Sequence, residues 1–541
     1  MNFVEAMVTH ARPDYDVVVI GAGFGGMYAI HRLRQAGHSV YCFEAGDGVG
    51  GTWYWNRYPG ARCDVESIQY SYSFDPDLEQ DWDWSERYAT QPEILRYADH
   101  VADRYDLRRD IDFSTRVTSV RYSDTDRLWT LQTDTGRSTT ARFVVSAVGC
   151  LSDARIPEWP GLNAYRGEVL HTGRWPHEPV DFAGRRVAVI GTGSSGIQAI
   201  PVIAEQAGHL TVFQRTPNYS IPARNREFTA DELREIKAGY RELRAKARKT
   251  GGGNYLNHGS ASALAVSDQE REQEYERRWQ IGGNGFVVCY ADLFFDLDAN
   301  DTAAEFVRRR IRETVRDPQV AELLTPRDHP IGSKRICVDS DYYATFNRDD
   351  VELVDVRADP IVDFTPDGLR TEGREFVFDA VVFATGYDAM TGPLLRMNVV
   401  GCGGQRLADK WSAGPRTYLG LMTAGFPNLF MLTGPGSPSV LASVIAAIEQ
   451  HVDFTAELLD WMRSREDVVV EAQPDAEDAW VEHVNELAAQ TIYPRANSWY
   501  LGTNVPGKPR VFMPYSGGLH TYRAECEQVA AAGYPGLAVK R

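Results

Sequence analysis

Cysteine is scarce in this chain. Cys42, Cys63, Cys150, Cys289, Cys337, Cys402 and Cys526 make seven among 541 residues, an odd number with no CxxC spacing. That distribution excludes a zinc ribbon or a disulfide framework as the organising device, and a reducing cytoplasm is the expected location. The 12 histidines form no HExxH and no tight group, so no metal site is expected. Long hydrophobic runs are missing too, and nothing approaches the ~20 apolar residues of a membrane-spanning helix. The first residues, MNFVEAMVTHARPDYD, lack a basic stretch followed by an apolar one, which argues against secretion. Positive charge is in deficit: a formal net charge of -18 makes nucleic acid and anionic membranes poor partners. A monomer or a weak homo-oligomer acting on small molecules is expected.

What is present is a globular composition, 43% hydrophobic and 24% charged, in a chain long enough for two or three domains. Tyr15 to Ile20, YDVVVI, is a short β-branched run that ends in Gly21-Ala22-Gly23-Phe24-Gly25-Gly26. A helical pattern follows, then a second strand, Ser39 to Phe43, closed by Glu44. Strand, glycine turn, helix, strand and an acid about twenty residues on is the full context of a dinucleotide-binding unit. The pattern recurs. Arg186 to Ile190 leads into Gly191-Thr192-Gly193-Ser194-Ser195-Gly196, a helix beginning Ile197-Gln198, and the strand LTVF. This repeat ends in Gln214-Arg215-Thr216, with no acid. A carboxylate there accepts from a free ribose 2′-hydroxyl and repels a 2′-phosphate, whereas a guanidinium binds the phosphate. The first unit therefore suits FAD or NAD, and the second NADP.

Two further strand-like runs, Phe143 to Gly149 and Asp379 to Gly386, end at small residues. The second resembles the ATG segment by which flavin monooxygenases cross from the NADP domain back to the FAD domain, which implies that both units are discontinuous. The predicted fold class is α/β: two Rossmann-like dinucleotide-binding domains with a helical insertion. The FAD-binding domain is expected over 1–150 and 387–541, the NADP-binding domain over 151–225 and 331–386, and the insertion over 226–330. Three capping boxes, Thr229-x-x-Glu232, Ser267-x-x-Glu270 and Thr302-x-x-Glu305, predict helix starts within the insertion.

Two nucleotide folds in one chain imply electron flow from NADPH through a flavin. Cys42 and Cys63 are too far apart to suggest a redox disulfide beside it, so oxygen chemistry is favoured. The stretch GGTWYWNRYPGARCD, Gly50 to Asp64, resembles the GGxWxxxxYPGxxxD pattern of the type I Baeyer–Villiger monooxygenases. Their other fingerprint, FxGxxxHxxxWP, is met by Tyr165, Gly167, His171, Trp175 and Pro176, with tyrosine in place of phenylalanine. The likeness continues through KRICVDSDYY from Lys334, ATGYDAMTG from Ala384 and NSWYLGTNVPGKPR from Asn497, and GPGSPSVLAS from Gly434 is similar to the phenylacetone and steroid branch.

The resemblance implies that NADPH reduces FAD, dioxygen adds at the flavin C4a carbon, and the resulting peroxide attacks a ketone to give an ester or lactone. It makes Arg335 the catalytic cation and Asp64 its orienting carboxylate. For FAD it names Gly21, Gly23, Gly26, Glu44, Thr52, Trp53, Tyr54, Trp55, Asp64, Tyr70 and Val117, with Tyr54 and Trp55 serving equally as packing residues. Arg62, Cys63 and Asp64 are placed near the nicotinamide. Thr192, Gly193, Ser194, Ser195, Gly196, Ile197 and Gln198 belong to the NADP turn. Arg215, Thr216 and Lys334 are assigned to the 2′-phosphate, and Trp499 to a loop that closes on NADP. Ser439, Val440, Leu441 and Val444 are assigned to the substrate wall, although Leu441 and Val444 equally suit a core. His171 is read as a hydrogen-bonded residue at the domain junction. Bulky aryl, cyclic or steroid-like ketones are expected, with sulfoxidation as a side activity. An S- or N-oxygenating flavin monooxygenase and a non-catalytic NADPH-binding regulator are the alternatives.

Overall fold

The computed structural model describes residues 12–466 and 468–540; the N-terminal stretch read above for a leader lies mostly outside them. Two sheets organise the chain. In the larger one the strands run in the order Val399–Val400, Val117–Ser123, Leu128–Thr133, Ser138–Ser146, Tyr15–Ile20, Val40–Phe43, Ile111–Asp112, with Leu429–Met431 also paired to Ser138–Ser146. Its centre is parallel, and an antiparallel meander occupies residues 117–146. The second sheet is wholly parallel: Val351–Asp355, His209–Gln214, Arg186–Ile190, Ala380–Phe383, Glu168–His171. Near-continuous apolar strands such as Ala380–Phe383, buried throughout, are what a sheet covered on both faces requires. Each sheet draws strands from separate parts of the chain, because the path leaves the first after Ser146 and returns to it after building the second. An antiparallel hairpin set, Ile361–Thr365, Gly368–Thr371 and Glu375–Val377, was not anticipated.

The Glu168–His171 segment of the second fingerprint is the edge strand of the second sheet. His171 ends it and fastens the turn that follows. Its Nδ1 accepts from the Gly173 N–H at 2.9 Å, and its Nε2 lies 3.2 Å from the Arg155 carbonyl. Two residues on, the Trp175 N–H donates to Trp55 O at 3.3 Å, so the turn touches the GGxW segment of the first unit.

The helical segment does not behave as one insertion into the second unit. Thr229 and Ser267 form complete capping boxes for Ala230–Ala247 and Asp268–Ile281. Thr302 does not start a helix. Asp296 caps Leu297–Thr314 by accepting from Asp298 N and Ala299 N, and Thr302 sits inside, its hydroxyl on Ala299 O. Ala230–Ala247 buries Tyr240 in the core of the first unit, and Arg244 pairs with Glu79 at 2.7 Å. Tyr275, Trp279, Phe286 and Phe306 pack instead in the core of the second. Among the described residues no helix is long and apolar enough to cross a membrane.

Candidate functional site

Both glycine turns open onto one cavity of about 1980 Å³, well above the ~300–1,000 Å³ of a single drug-sized ligand site. The two turns are built alike. Gly21 and Gly191 stand at φ of 100° and 114°, where a side chain is strained. A Cβ on Gly21 would lie 2.8 Å from Ala147 O, and one on Gly191 would lie 2.5 Å from Ala384 O. The small residues after the two apolar runs are thus the seats on which the turns rest. A Cβ on Gly26 would stand 1.8 Å from Gly21 O, and one on Gly196 would stand 2.2 Å from Gly191 O. The helices that follow, Phe24–Gln35 and Ser194–Ala204, have no side-chain cap, so their first N–H groups are available to an anion. Two uncapped helix starts, each behind a cradle that a Cβ would fill, fit two dinucleotides.

Gly51 backs the first cradle, since a Cβ there would lie 2.9 Å from Gly23 Cα. Thr52, Trp53 and Trp55 of the helix Thr52–Trp55 line the cavity. The Trp53 indole donates to Tyr70 Oη at 3.0 Å, fixing both rings at the wall. Glu44 is buried and accepts from Ala22 N at 2.6 Å and Gly46 N at 2.7 Å. Burial raises its pKa despite those hydrogen bonds.

The YPG segment is a dock for the second unit. A Cβ on Gly60 would stand 2.4 Å from Gln198 O, so glycine lets the helix Ser194–Ala204 approach backbone to backbone. Gln198 then accepts from Tyr58 Oη at 2.8 Å and donates to Arg62 O at 3.1 Å. This clasp delivers Cys63 and Asp64 to the cavity. Arg335, just before the strand Cys337–Asp339, arrives from the other side. Its Nε donates to Asp64 Oδ2 at 2.9 Å, its Nη2 to Asp64 Oδ1 at 2.7 Å and its Nη1 to Val440 O at 2.9 Å. Burial opposes the guanidinium charge, but the Asp64 carboxylate outweighs it and the pKa ends above its ordinary value. Arg335 is a permanent cation in the wall that both cradles share. Asn284, from the helical segment, donates to Asp64 O at 2.8 Å.

Most residues singled out in the sequence reach this cavity: Gly21, Gly23, Glu44, Thr52, Trp53, Trp55, Arg62, Cys63, Asp64, Tyr70, Val117, Thr192, Gly193, Ser194, Ser195, Gln198, Arg215, Thr216, Lys334, Arg335, Val440, Val444 and Trp499. Gly26 and Gly196 act from behind, through their missing side chains. Four do not belong to the wall. The Tyr54 hydroxyl bonds Asp47 Oδ1 at 2.5 Å and its ring covers Gly46 and Gly48. Ile197 is 1% exposed within the second core. Ser439 is fully buried and turned toward Met390 Sδ, and Leu441 packs on a cluster with Tyr500 and Phe512. The Arg62 guanidinium donates to Tyr88 O at 3.1 Å, while the Arg62 carbonyl accepts from Gln198 at 3.1 Å. Sequence reasoning missed Asn284, Arg357 and Ile448. Ile448 follows Val444 at helical spacing on Val444–Ser464, a signal that extending the periodicity would have caught.

Known proteins resemble this chain along nearly its whole length. Residues 14–225 match the family described as flavin-binding monooxygenase-like. A Baeyer–Villiger monooxygenase of Pseudooceanicola batsensis is 42% identical over 97% of this chain and 96% of its own length. A phenazine N-monooxygenase of Lysobacter antibioticus is 40% identical, covering 98% of each chain. The solved structure of an oxidised steroid monooxygenase bound to NADP superposes with a TM-score of 0.93 at 54% identity, covering 97% of this chain and 99% of that one.

Proposed function

This chain belongs to the type I Baeyer–Villiger monooxygenases, and we infer from its cavity how it carries out their reaction. It is an NADPH-dependent flavin monooxygenase that converts ketones into esters or lactones, with FAD and NADP as its cofactors. When bound, the nicotinamide supplies hydride to the flavin, and the reduced flavin delivers dioxygen in reactive form.

The cradle at Gly21, Gly23 and Gly26 is assigned to FAD, with Glu44 on the ribose side and Trp53, Tyr70 and Val117 along the wall. The cradle at Thr192 to Gly196 is assigned to NADP, with Arg215, Thr216 and Lys334 at the 2′-phosphate and Trp499 at the loop that covers it. Residues 1–150 and 387–541 then form the FAD domain, and 151–225 with 331–386 the NADP domain. Between them, Arg335 stabilises negative charge on the attacking oxygen and on the oxygen that develops on the ketone. Asp64 aims the guanidinium, and Val440 fixes its third edge. Such a charge acts most strongly where water is excluded. The aliphatic wall at Val440, Val444 and Ile448 supports bulky aryl, cyclic or steroid-like ketones.

The single observation that carries this reading is the two-point Arg335–Asp64 pair in the wall common to both cradles. The N-monooxygenase relative favours nitrogen oxygenation as a second reading, since the same scaffold at similar identity carries that name. One experiment separates them. A panel of ketones and one phenazine is turned over with NADPH under ¹⁸O₂, and products are resolved by mass. Esters or lactones carrying one labelled atom support the ketone reading; N-oxide formation with intact ketones overturns it.

A further inference from the structure

Beyond the strand His209–Gln214, the cavity wall holds a cation, Arg357, that no motif accounts for. The neighbouring parallel strand Val351–Asp355 ends at the same level, so the two strand ends present Arg215–Thr216 and Arg357 together. Arg357 Nη2 donates to Thr216 Oγ1 at 2.8 Å and to Asp328 Oδ2 at 2.6 Å. The other Asp328 oxygen lies 2.6 Å from His329 Nδ1. The hydrogen bond from His329, joined by that from Arg357, keeps Asp328 well below the usual carboxylate range, so it is ionised. Lys334 feels the whole group: burial, Arg215 and Arg357 lower its pKa, and Asp328 raises it.

Arg215, Lys334, Arg357 and Asp328 all line the cavity. Three cations around one carboxylate leave a local positive excess on a chain whose net charge is -18. Like charges in one wall repel, and an anionic group among them relieves that repulsion. The contacts of Arg357 also occupy only Nη2. A guanidinium offers five donors, and these contacts leave the N–H groups of Nε and Nη1 unspent.

We propose that Arg357 is a third cationic arm of the 2′-phosphate site, beside Arg215 and Lys334, held in place by Thr216 and Asp328, and a specificity-determining residue for NADPH over NADH. This rests on the assignment of Arg215 and Lys334 to that phosphate. Arg357 contributes where the 2′-phosphate is present and little where a free hydroxyl replaces it. Its side chain is 48% exposed, so its removal leaves the packed core intact.

The test is calorimetric and independent of turnover. Purified holoenzyme is titrated with adenosine 2′,5′-bisphosphate and, separately, with adenosine 5′-monophosphate, as wild type, Arg357→Ala, Arg357→Lys and Arg215→Ala. The expected result is bisphosphate binding weakened about tenfold or more in Arg357→Ala, the size of a lost charge-assisted hydrogen bond. Binding of the monophosphate stays close to wild type, and Arg357→Lys recovers part of the loss. If Arg357→Ala binds the bisphosphate like wild type while Arg215→Ala does not, the third arm is wrong and the site stands. Equal weakening of both probes in Arg357→Ala assigns the residue a structural role and overturns the proposal. If Arg215→Ala keeps full bisphosphate affinity, the 2′-phosphate assignment itself falls.

Discussion

Arg335 meets Asp64 through two parallel hydrogen bonds, Nε to Oδ2 at 2.9 Å and Nη2 to Oδ1 at 2.7 Å, while Nη1 is held on Val440 O at 2.9 Å. Three of the five guanidinium donors are engaged, which leaves one on each terminal nitrogen for a ligand oxygen. Asp64 therefore determines where the two remaining donors point. In Asp64→Asn the amide keeps the shape but loses the charge and one of the two acceptors. The expected outcome is about 1–3 kcal/mol less stability, the cost of a donor left unpaired in a buried place. Ester yield per NADPH falls and hydrogen peroxide rises in proportion. Paired assays of ester and hydrogen peroxide check this, and unchanged coupling would count against the orienting role.

The cradle assigned to FAD is sensitive at one atom. A methyl on Gly26 would sit 1.8 Å from Gly21 O, a backbone atom that cannot swing aside. Gly26→Ala is expected to purify without yellow colour, or with a small fraction of the flavin carried by wild type. Absorbance of the denatured supernatant quantifies the loss. Stoichiometric FAD in this variant would show that the cradle lies elsewhere.

Asn284 ties the helical segment to the site through Nδ2 on Asp64 O at 2.8 Å. It reaches that carbonyl because Gly282 and Gly283 both hold φ of 75°, and a Cβ on Gly283 would strike Tyr88 Oη at 1.9 Å. Removing one such hydrogen bond costs about 1 kcal/mol. Asn284→Ala should lower coupling several-fold less than Asp64→Asn does, with flavin reduction by NADPH at its normal rate. Stopped-flow reduction alongside product analysis distinguishes this from general damage, in which both would fall together.

Acid should loosen the domain junction. Burial holds the His171 pKa at about 4, below its ordinary value of 6.5, so the native state keeps the ring neutral. Between those values the unfolded chain binds a proton that the folded chain refuses. Stability is therefore fully present above pH ~6.5 and is lost as pH falls toward ~4, by up to about 3 kcal/mol for this one ring. His31, lowered to about 4, and His451, lowered to about 3, both mainly by burial, act in the same sense. Thermal melts from pH 7 to pH 4 should slope less steeply in His171→Asn than in wild type. An identical slope would remove His171 from this effect.

The parts legible in the sequence were those set by backbone constraints. Glycine at positive φ, a strand followed directly by Ala147 or Ala384, and an acid or an arginine closing each repeat are consequences of local geometry, and local geometry is written in neighbouring residues. Legibility failed where partners lie far apart in the chain. Thr302-x-x-Glu305 satisfies a capping pattern, but Asp296 starts the helix earlier and turns Thr302 into an interior residue. The helix Ala230–Ala247 reads as a charged surface, yet it docks on the first core because Glu79, more than a hundred residues upstream, pairs with Arg244. Within Ser439–Leu441 only the fold decides which residue faces the cavity, and it gives that place to Val440, whose carbonyl also grips Arg335. Arg357 carries no motif; the pairing of Val351–Asp355 with His209–Gln214 is what brings it beside Thr216.

The central claim is that Arg335 directs oxygen onto the ketone carbonyl. The decisive measurement is the ester formed per NADPH consumed in Arg335→Ala, with flavin reduction followed separately in the same preparation. The account predicts reduction by NADPH at close to the wild-type rate, almost no ester, and nearly all reducing equivalents recovered as hydrogen peroxide. Ester formation at the wild-type ratio in that variant would contradict it.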